Sequence, residues 1–212
     1  MQQVGGDNAD PDGAIALLGA GTGLGVSGLI KSTAGHYPLQ GEGGHVTIGA
    51  TNARELAIFG EFIKRYSHMS AERLLSGTGI SEAYEILCLL DGVEDLNLKP
   101  AEISRHALAN SNPQAVELMT LFCRWFGIVA GNLAISLGST GGVYIGGGIV
   151  PKLGDYFVHS SFRSSFNDKG RFTEYLSAIP VYIIQAAQPS LLGASNALHQ
   201  RFDGLGISYI KD

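Results

Sequence analysis

The longest periodic pattern in the chain runs from residue 113 to residue 137, where apolar residues recur at three- and four-residue intervals. This spacing predicts a long helix with a broad apolar face, buried on most sides. Pro113 suits its first turn, because the amide hydrogen that proline lacks is unused there. Shorter patterns of the same kind predict helices from Asn52 to about residue 66, over 70–77, 81–90 and 101–109, from Pro151, and from Pro189 to about residue 202, with a short helix or a loop over 161–169.

Short apolar runs beside glycine or proline predict the strands. Residues 15–18 and 25–32 are joined by a glycine-rich turn, which predicts a β-hairpin. Residues 41–49 then form a glycine-punctuated loop that returns to a short strand. Further strands are predicted over 143–145 and, beginning at a proline, over 180–184. Because strands alternate with helices, we expect an α/β domain with a mixed sheet flanked by helices.

The length of the chain suits one large domain. It has 212 residues, of which 45% are hydrophobic, and this indicates a well-filled core. Residues 1–13 are polar and rich in glycine and aspartate, so we expect a connector that is not anchored to the rest of the chain. The domain then covers residues 14–202, and residues 203–212 form a loose tail.

Charge, hydropathy and cysteine content exclude several classes of function. The net charge is −5 and no run of Lys or Arg occurs, so we expect no nucleic-acid partner. No apolar stretch reaches membrane-spanning length without polar interruption, and the polar N-terminus has no signal-like apolar region, so we expect no membrane association. Cys88 and Cys123 lie far apart in apolar surroundings, which is typical of reduced core residues in a cytoplasmic protein.

A glycine-rich turn is the strongest candidate for ligand binding. Four glycines stand at alternate positions from Gly19 to Gly25, directly after an apolar run. Glycine lets a ligand approach the main chain, and clustered amide N–H groups form an anion site for which phosphate is the natural guest. The spacing matches neither of the two common phosphate loops, and a strand rather than a helix follows. The alternative is a tight hairpin turn without a ligand.

Glu42 and His45 are candidates for binding a substrate with several hydroxyl groups. Two glycines separate them, so both side chains can point into one cleft. A carboxylate accepts hydrogen bonds from hydroxyls, and an imidazole both donates and accepts, which suits a sugar. The alternative is a loop whose charged groups face solvent. Two such ligands are too few for a metal site, so none is expected.

Two further segments are ambiguous when each is taken alone. Gly146, Gly147 and Gly148 end a predicted strand ahead of a helix, and in open α/β sheets ligands bind beyond the carboxyl ends of strands. A tight strand-to-helix turn is the alternative there. Glu72 is, by itself, a first-turn helix residue that interacts favourably with the helix dipole. No motif for a nucleophilic serine, a zinc protease or paired cysteines is present.

Taken together, six segments resemble the bacterial glucokinases of the sugar-kinase/actin-like ATPase superfamily. The resemblance covers nearly the whole chain in the family's order and approximate spacing, and it favours the ligand-binding interpretation of each site over its alternative. The matching segments are GAGTGLGV (19–26), GEGGHV (41–46), SAERLLSGTG (70–79), GGVYIGGGIVPK (141–152), SFRSSFNDKGRF (161–172) and PSLLGASNAL (189–198).

The resemblance implies a ribonuclease-H-like (actin-like ATPase) domain and transfer of the γ-phosphoryl group of ATP to the 6-hydroxyl of glucose, with Mg²⁺, in glycolysis. It implies that Glu42, His45 and Glu72 bind sugar hydroxyls. A homodimer, supported by the long helix over 113–137 and its neighbours, is a further implication. For ATP it implies a second phosphate loop and an adenosine motif, which correspond here to Gly21, Thr22, Gly23, Leu24 and Gly25, and to Gly146, Gly147 and Gly148.

The chain departs from the family pattern in one respect. Full-length members carry a smaller N-terminal domain with a D-x-G-G-T-N phosphate loop and an aspartate that serves as general base, and neither is found in these residues. The resemblance therefore implies the larger, C-terminal part of a glucokinase, lacking the small domain and any catalytic residue, and inactive or nearly so alone. A non-catalytic sugar-binding or regulatory module is the alternative. A zinc-dependent fold is a third, although Cys88 and Cys123 cannot supply a cysteine cluster.

Overall fold

The computed structural model describes residues 1–33 and 35–203, so the tail expected over 203–212 lies, except for its first residue, outside the described residues. Six strands in these ranges belong to one sheet: β1 (Gln2–Gln3), β2 (Ile15–Ala20), β3 (Leu24–Ser32), β4 (Gly35–Leu39), β5 (Val143–Gly147) and β6 (Val181–Ile183). Their order across the sheet is β1-β6-β5-β2-β3-β4. Strands β2 and β6 run parallel to β5, whereas the pairs β1–β6, β2–β3 and β3–β4 are antiparallel, so the expected mixed sheet is confirmed.

Helices flank the sheet, and the longest of them has the predicted bounds. It begins at Pro113 after an Asn112 cap and ends at Leu137, before Gly138 in the left-handed region at φ 62°. In the described ranges the helices are α1 (Ala53–Arg65), α2 (Gly77–Asp91), α3 (Pro100–Leu108), α4 (Pro113–Leu137), α5 (Val150–Leu153), α6 (Asp155–Val158), α7 (Phe162–Asn167), α8 (Thr173–Ala178) and α9 (Pro189–Asp203). Short 3-10 turns form at Gly43–His45, Ala71–Arg73 and Gly170–Phe172.

The start of α2 differs from the sequence prediction. The pattern predicts a helix over 70–77 that ends at Gly77, but a 3-10 turn forms at Ala71–Arg73 and α2 begins at Gly77. The Ser76 hydroxyl accepts a hydrogen bond from the Gly79 amide at 3.1 Å and so caps the new helix. Over 45–48 the predicted strand is replaced by the end of a 3-10 turn and a single bridge from Thr47 to Ser70.

The N-terminal segment is attached to the sheet, which contradicts the expectation of an unanchored connector. Strand β1 pairs with β6, and the Val4 amide donates to the Val181 carbonyl at 2.7 Å. Further along, the Thr140 hydroxyl donates to the Asp10 carboxylate at 3.0 Å. The segment has no alternating apolar pattern. Its partners lie more than 100 residues away in sequence, so local patterns could not predict the pairing.

Helix α4 forms the centre of the core, because it packs against both β2 and α7. Trp125 and Phe126 are fully buried, and the Phe126 ring lies 5.9 Å from that of Phe157 and 6.2 Å from that of Phe162. By length and composition α4 could cross a membrane, contrary to the expectation that no segment qualifies. However, 67% of the most apolar 18-residue stretch of α4 is buried inside the protein, so core packing accounts for its apolar composition.

Candidate functional site

Two glycine-rich segments meet at one end of the sheet. Strands β2 and β5 are parallel neighbours, with Gly19 opposite Gly146 and Ala20 opposite Gly147. The turn after β2 and Gly148 after β5 therefore lie side by side at the carboxyl ends of the strands, where α/β sheets bind ligands. Gly147 has φ +84°, and a Cβ there would lie 2.2 Å from the Ala20 carbonyl oxygen, so this close approach requires glycine. The two candidate nucleotide-binding segments are thus brought together.

The hairpin turn, residues 21–23, uses part of its main chain for internal hydrogen bonds. The Gly21 amide donates to the Gly23 carbonyl at 2.8 Å. The amide of Leu24, at the start of β3, donates to Glu72 Oε2 at 2.9 Å. The sequence predicts a row of bare amides here, but those of Gly21 and Leu24 are already paired inside the protein. Thr22 is exposed at the tip of the turn.

Gly25 lies in β3, two residues after the turn, and borders the space between the sheet and α9. It is paired with Gly19 across the hairpin, and both border a cavity of about 650 Å³ between the sheet and α9. Gly146 and Gly147 border the same cavity. Three of the candidate nucleotide-binding glycines, Gly25, Gly146 and Gly147, therefore line accessible space.

The Glu42 loop, residues 41–48, lies directly against β3. A Cβ on Gly44 would lie 2.2 Å from the Leu24 carbonyl oxygen, so a larger residue would push the loop away from the strand. Glu42 and His45 stand at the two ends of this 3-10 turn, and both are exposed. The loop is therefore fixed at its centre and presents its two polar side chains to solvent.

The segment before Glu72 pairs with the Glu42 loop. His68 Nε2 donates to the His45 carbonyl at 2.7 Å, and the Ala71 amide donates to the Val46 carbonyl at 2.9 Å. These bonds hold the 3-10 turn of Glu72 beside the loop. Glu72 itself is half-buried. The three candidate sugar-binding residues thus lie on two adjoining segments. The Glu42 loop contacts β3, and the segment that carries Glu72 contacts the hairpin turn.

A small polar cleft lies beside the hairpin turn, between Thr22 and the first turns of α2. Its volume is about 100 Å³. Most of its residues are not among the sequence-predicted site residues, although the Ser-Gly-Thr-Gly segment at a helix start was a usable signal. In the described part of the chain, no group of three or more His, Cys, Asp or Glu side chains is placed to hold a metal ion. The cleft is lined by Thr22, Glu72, Arg73, Ser76, Thr78, Gly79 and Glu82.

Two charged residues of this cleft, Arg73 and Glu82, contact Tyr66. The Arg73 guanidinium lies 3.7 Å from the centre of the Tyr66 ring, a cation–π contact. The Tyr66 hydroxyl donates to Glu82 Oε1 at 2.7 Å, and this hydrogen bond raises the pKa of Tyr66. Arg73 and Glu82 are therefore held at the edge of the cleft by one aromatic side chain.

A larger, mainly apolar cleft opens beside Gly148. Its volume of about 640 Å³ falls in the range of small-molecule sites. No local sequence pattern indicates this cleft, because its two walls, α3 and the β5–α5 connection, are far apart in sequence. The lining consists of Ile80, Pro100, Ala101, Ser104, Arg105, Leu108, Ala109, Gly148, Ile149, Lys152 and Leu153.

Comparison with known proteins matches residues 1–201 to the family model described as Glucokinase. The chain is 50% identical over 203 residues to a glucokinase from Aromatoleum aromaticum. That match covers 96% of this chain but only 61% of the relative, so the chain spans about three fifths of the relative's length.

Solved structures of sugar kinases share the fold. A glucokinase from an Antarctic psychrotroph superposes with a TM-score of 0.86 at 31% identity, covering 93% of this chain and 61% of the other. A ROK-family glucokinase from Streptomyces griseus, in complex with glucose and AMPPNP, superposes with a TM-score of 0.57 at 20% identity, covering 89% and 61%. The predicted actin-like ATPase fold is confirmed.

Proposed function

Because the chain belongs to the glucokinase family, we propose that it serves the ATP-dependent phosphorylation of glucose at the 6-hydroxyl group. The observation that carries this proposal is the parallel pairing of β2 with β5, which sets two glycine-rich segments side by side next to Glu72. The proposal concerns the activity of a whole protein, since the chain spans 61% of its Aromatoleum relative. The buried free thiols of Cys88 and Cys123 support a reducing compartment, so we assign the reaction to the cytoplasm. Phosphorylation of glucose at the 6-hydroxyl group would there serve glycolysis.

We assign the ATP phosphates to the hairpin turn. Phosphoryl transfer depends mainly on positioning and on stabilising charge, and main-chain amides supply both. Thr22 and Gly23 form the tip of the turn, while the paired amides of Gly21 and Leu24 give the turn its shape. Gly25, in β3, places no side chain next to the turn. In this assignment the chain itself binds and orients the phosphates.

We assign the nucleoside to the cleft beside Gly148. Its apolar lining suits a flat base, and its volume of about 640 Å³ leaves room for the ribose. Arg105 and Lys152 border the cleft and supply donors for the ribose or the phosphates. Gly148 borders this cleft, and Gly147, its neighbour in sequence, is paired with Ala20 directly before the hairpin turn. A nucleotide could therefore extend from the cleft to the turn.

Glucose is assigned to Glu42, His45 and Glu72. Carboxylates accept hydrogen bonds from sugar hydroxyls, and imidazole can donate or accept. The bond from His68 to the His45 carbonyl and the bridge from Thr47 to Ser70 support a shared sugar site on the two segments. Glucose would then lie beside the hairpin turn and the phosphates it holds.

Mg²⁺ fits the reaction without a dedicated protein cage. This ion keeps several waters and binds mainly through substrate phosphates and one or two carboxylates. The absence of a three-ligand cluster among the described residues is compatible with that mode of binding. When bound, Mg²⁺ would neutralise charge on the phosphates; the chain's part is to orient those phosphates through the turn.

The isolated chain is proposed to have little or no transferase activity. A general base must come within about 3 Å of the sugar hydroxyl. Glu42 and Glu72 are assigned to hydroxyl binding, so no residue of the chain is given the role of base. The expected result is no glucose-dependent ADP release from the purified chain. Robust release would contradict this assignment.

Titration calorimetry with glucose tests the sugar site. We expect the chain to bind glucose weakly. Glu42→Ala removes an exposed carboxylate from the Glu42 loop, and we expect it to abolish this binding. Glu174→Ala is the matched control, because it removes an exposed carboxylate from α8, outside the clefts described above. Both variants should unfold at the wild-type urea concentration.

Glucose binding by the wild type and the two variants decides whether Glu42 belongs to the sugar site. Glucose binding that is lost in Glu42→Ala and kept in Glu174→Ala supports the sugar site. Equal binding by all three proteins overturns it.

A further inference from the structure

Glu72 lies between the two proposed binding sites and contacts the phosphate side directly. Its Oε2 accepts a hydrogen bond from the Leu24 amide at 2.9 Å, across 48 positions of sequence. A Cβ on Gly23 would lie 2.5 Å from the same oxygen, so the hairpin turn closes against the carboxylate. A single side chain that faces the sugar site therefore also holds the start of β3.

The segment that carries Glu72 holds the hairpin turn at a second point. The Gly77 amide, at the start of α2, donates to the Gly21 carbonyl at 2.8 Å. The Gly21 amide in turn donates to the Gly23 carbonyl at 2.8 Å. Residues 72–77 thus contact both ends of the turn. On the other side, the Ala71 amide bonds to the Glu42 loop, so this segment links the two proposed sites.

The position of this carboxylate is electrostatically unfavourable for a phosphate site. A negative charge next to the turn opposes the binding of an anion. A structural benefit must offset that cost, and the hydrogen bond to the Leu24 amide supplies one. A carboxylate acceptor also makes a stronger hydrogen bond than a neutral group does.

We propose that Glu72 is a positioning residue for the nucleotide phosphates as well as a sugar ligand. Oε2 fixes the shape of the hairpin turn, and Oε1 serves the sugar hydroxyl. This inference rests on the proposed function, since it needs phosphates at the turn and a sugar at Glu72. One side chain then couples the two sites, because any movement of Glu72 toward the sugar changes the turn.

Amide hydrogen exchange at Leu24 tests the contact without any ligand. Glu72→Ala removes the acceptor, so the Leu24 amide should exchange at least about tenfold faster than in the wild type. Glu72→Gln keeps an acceptor oxygen and should preserve most of the protection. Glu174→Ala should match the wild type. Unchanged exchange in Glu72→Ala overturns the inference.

AMPPNP binding in the absence of sugar tests the consequence. We expect Glu72→Ala to bind AMPPNP about tenfold more weakly than the wild type, the equivalent of one lost hydrogen bond to a charged group. Glu72→Gln, which loses the charge but keeps the acceptor, should bind at least as well as the wild type. Equal or tighter binding by Glu72→Ala would mean that the hydrogen bond to Leu24 does not support phosphate binding, and would overturn the inference.

A second variant keeps the test decisive if Glu72→Ala does not fold. Gly23→Ala keeps the Glu72 side chain, but the added Cβ forces its carboxylate away from the turn. This variant should therefore speed Leu24 exchange and weaken AMPPNP binding. Wild-type behaviour of Gly23→Ala overturns the inference. A wild-type chain that binds no AMPPNP overturns the proposed function together with the inference, whereas equal binding by wild type and Glu72→Ala overturns the inference alone.

Discussion

Glu55 is a fully buried carboxylate at the first turn of α1. Burial raises its pKa, but hydrogen bonds from Thr51 and Arg124 outweigh burial, so the pKa lies below its ordinary value. Arg124 Nε donates to Glu55 Oε1 at 2.8 Å, and the Thr51 amide donates to Oε2 at 2.7 Å. The ion pair between Glu55 and Arg124 therefore joins α4 to the first turn of α1, the helix that follows the Glu42 loop.

Removing the Arg124 guanidinium is expected to destabilise the chain. Arg124→Met leaves Glu55 buried without its charged partner, which should lower the free energy of unfolding by about 2–4 kcal/mol at pH 7. Urea denaturation measures the change. Arg65→Met is the matched control: its partner Glu85 is 49% exposed, so the loss should stay below about 1 kcal/mol.

The contribution of the Glu55–Arg124 pair to stability should depend on pH. The folded pKa of Glu55 is lowered, so its ionisation stabilises the protein above the unfolded pKa, near 4.3, and that contribution is lost as pH falls through the folded pKa. The difference in stability between wild type and Arg124→Met should therefore shrink between about pH 5 and pH 3. A constant difference would show that lost packing, rather than the charge pair, is responsible.

The two thiols are expected to be unreactive in the folded chain. Burial raises the pKa of Cys123 to about 12 and also raises the pKa of Cys88. At pH 8 roughly one Cys123 in ten thousand is then a thiolate, the reactive form. A chromogenic disulfide reagent should detect both thiols only after denaturation. Rapid reaction of either one with the native chain would contradict their burial.

At the scale of elements, two glycines set the distance between α4 and α7. A Cβ on Gly127 would lie 2.3 Å from the Phe162 carbonyl oxygen, and one on Gly131 would lie 2.5 Å from that of Phe166. The close contact of α4 with α7 therefore depends on the absence of side chains there. Local helix propensity favours alanine at both positions, so packing overrides it.

Alanine substitutions test this packing. Gly127→Ala should lower the free energy of unfolding by about 1–3 kcal/mol despite its gain in helix propensity. Gly60→Ala in α1 is the matched control, because nothing lies within 4 Å of its Cβ position. That variant should be about 0.5–1 kcal/mol more stable. Stabilisation of both variants, measured in urea, would mean that the helices are not in close contact.

The elements show which parts of the fold are accessible from sequence. Local signals sufficed for α4, because Asn112 and Pro113 mark its start and Gly138 marks its end. Strands β1 and β4 were missed because their pairing is set by distant partners rather than by an alternating pattern. At the site, motif resemblance identified Glu42, His45, Glu72 and the glycines as candidates. It did not reveal that Glu72 bonds to the Leu24 amide, since that contact depends on tertiary structure.

For the whole molecule, self-association is expected, but not through the long helix. Most of α4 is buried within its own chain, so it offers little surface to a partner. Exposed apolar residues lie instead on the sheet and on α1, where Leu56 is 66% and Ile63 is 61% exposed. Because such surface favours association, we expect light scattering at micromolar concentration to give a mass above 22.3 kDa. A clean monomer would contradict this expectation.

We propose that the carboxyl ends of β2 and β5 hold a nucleotide beside a sugar site on the Glu42 loop. Amide-resolved NMR of the 212-residue chain, titrated first with AMPPNP and then with glucose, tests this arrangement. We expect AMPPNP to shift the amides of Thr22, Gly23, Gly147 and Gly148, and glucose to shift those of residues 42–45 and 72. Shifts confined to α8 and the outer face of α1, or no shifts at saturating ligand, would contradict it.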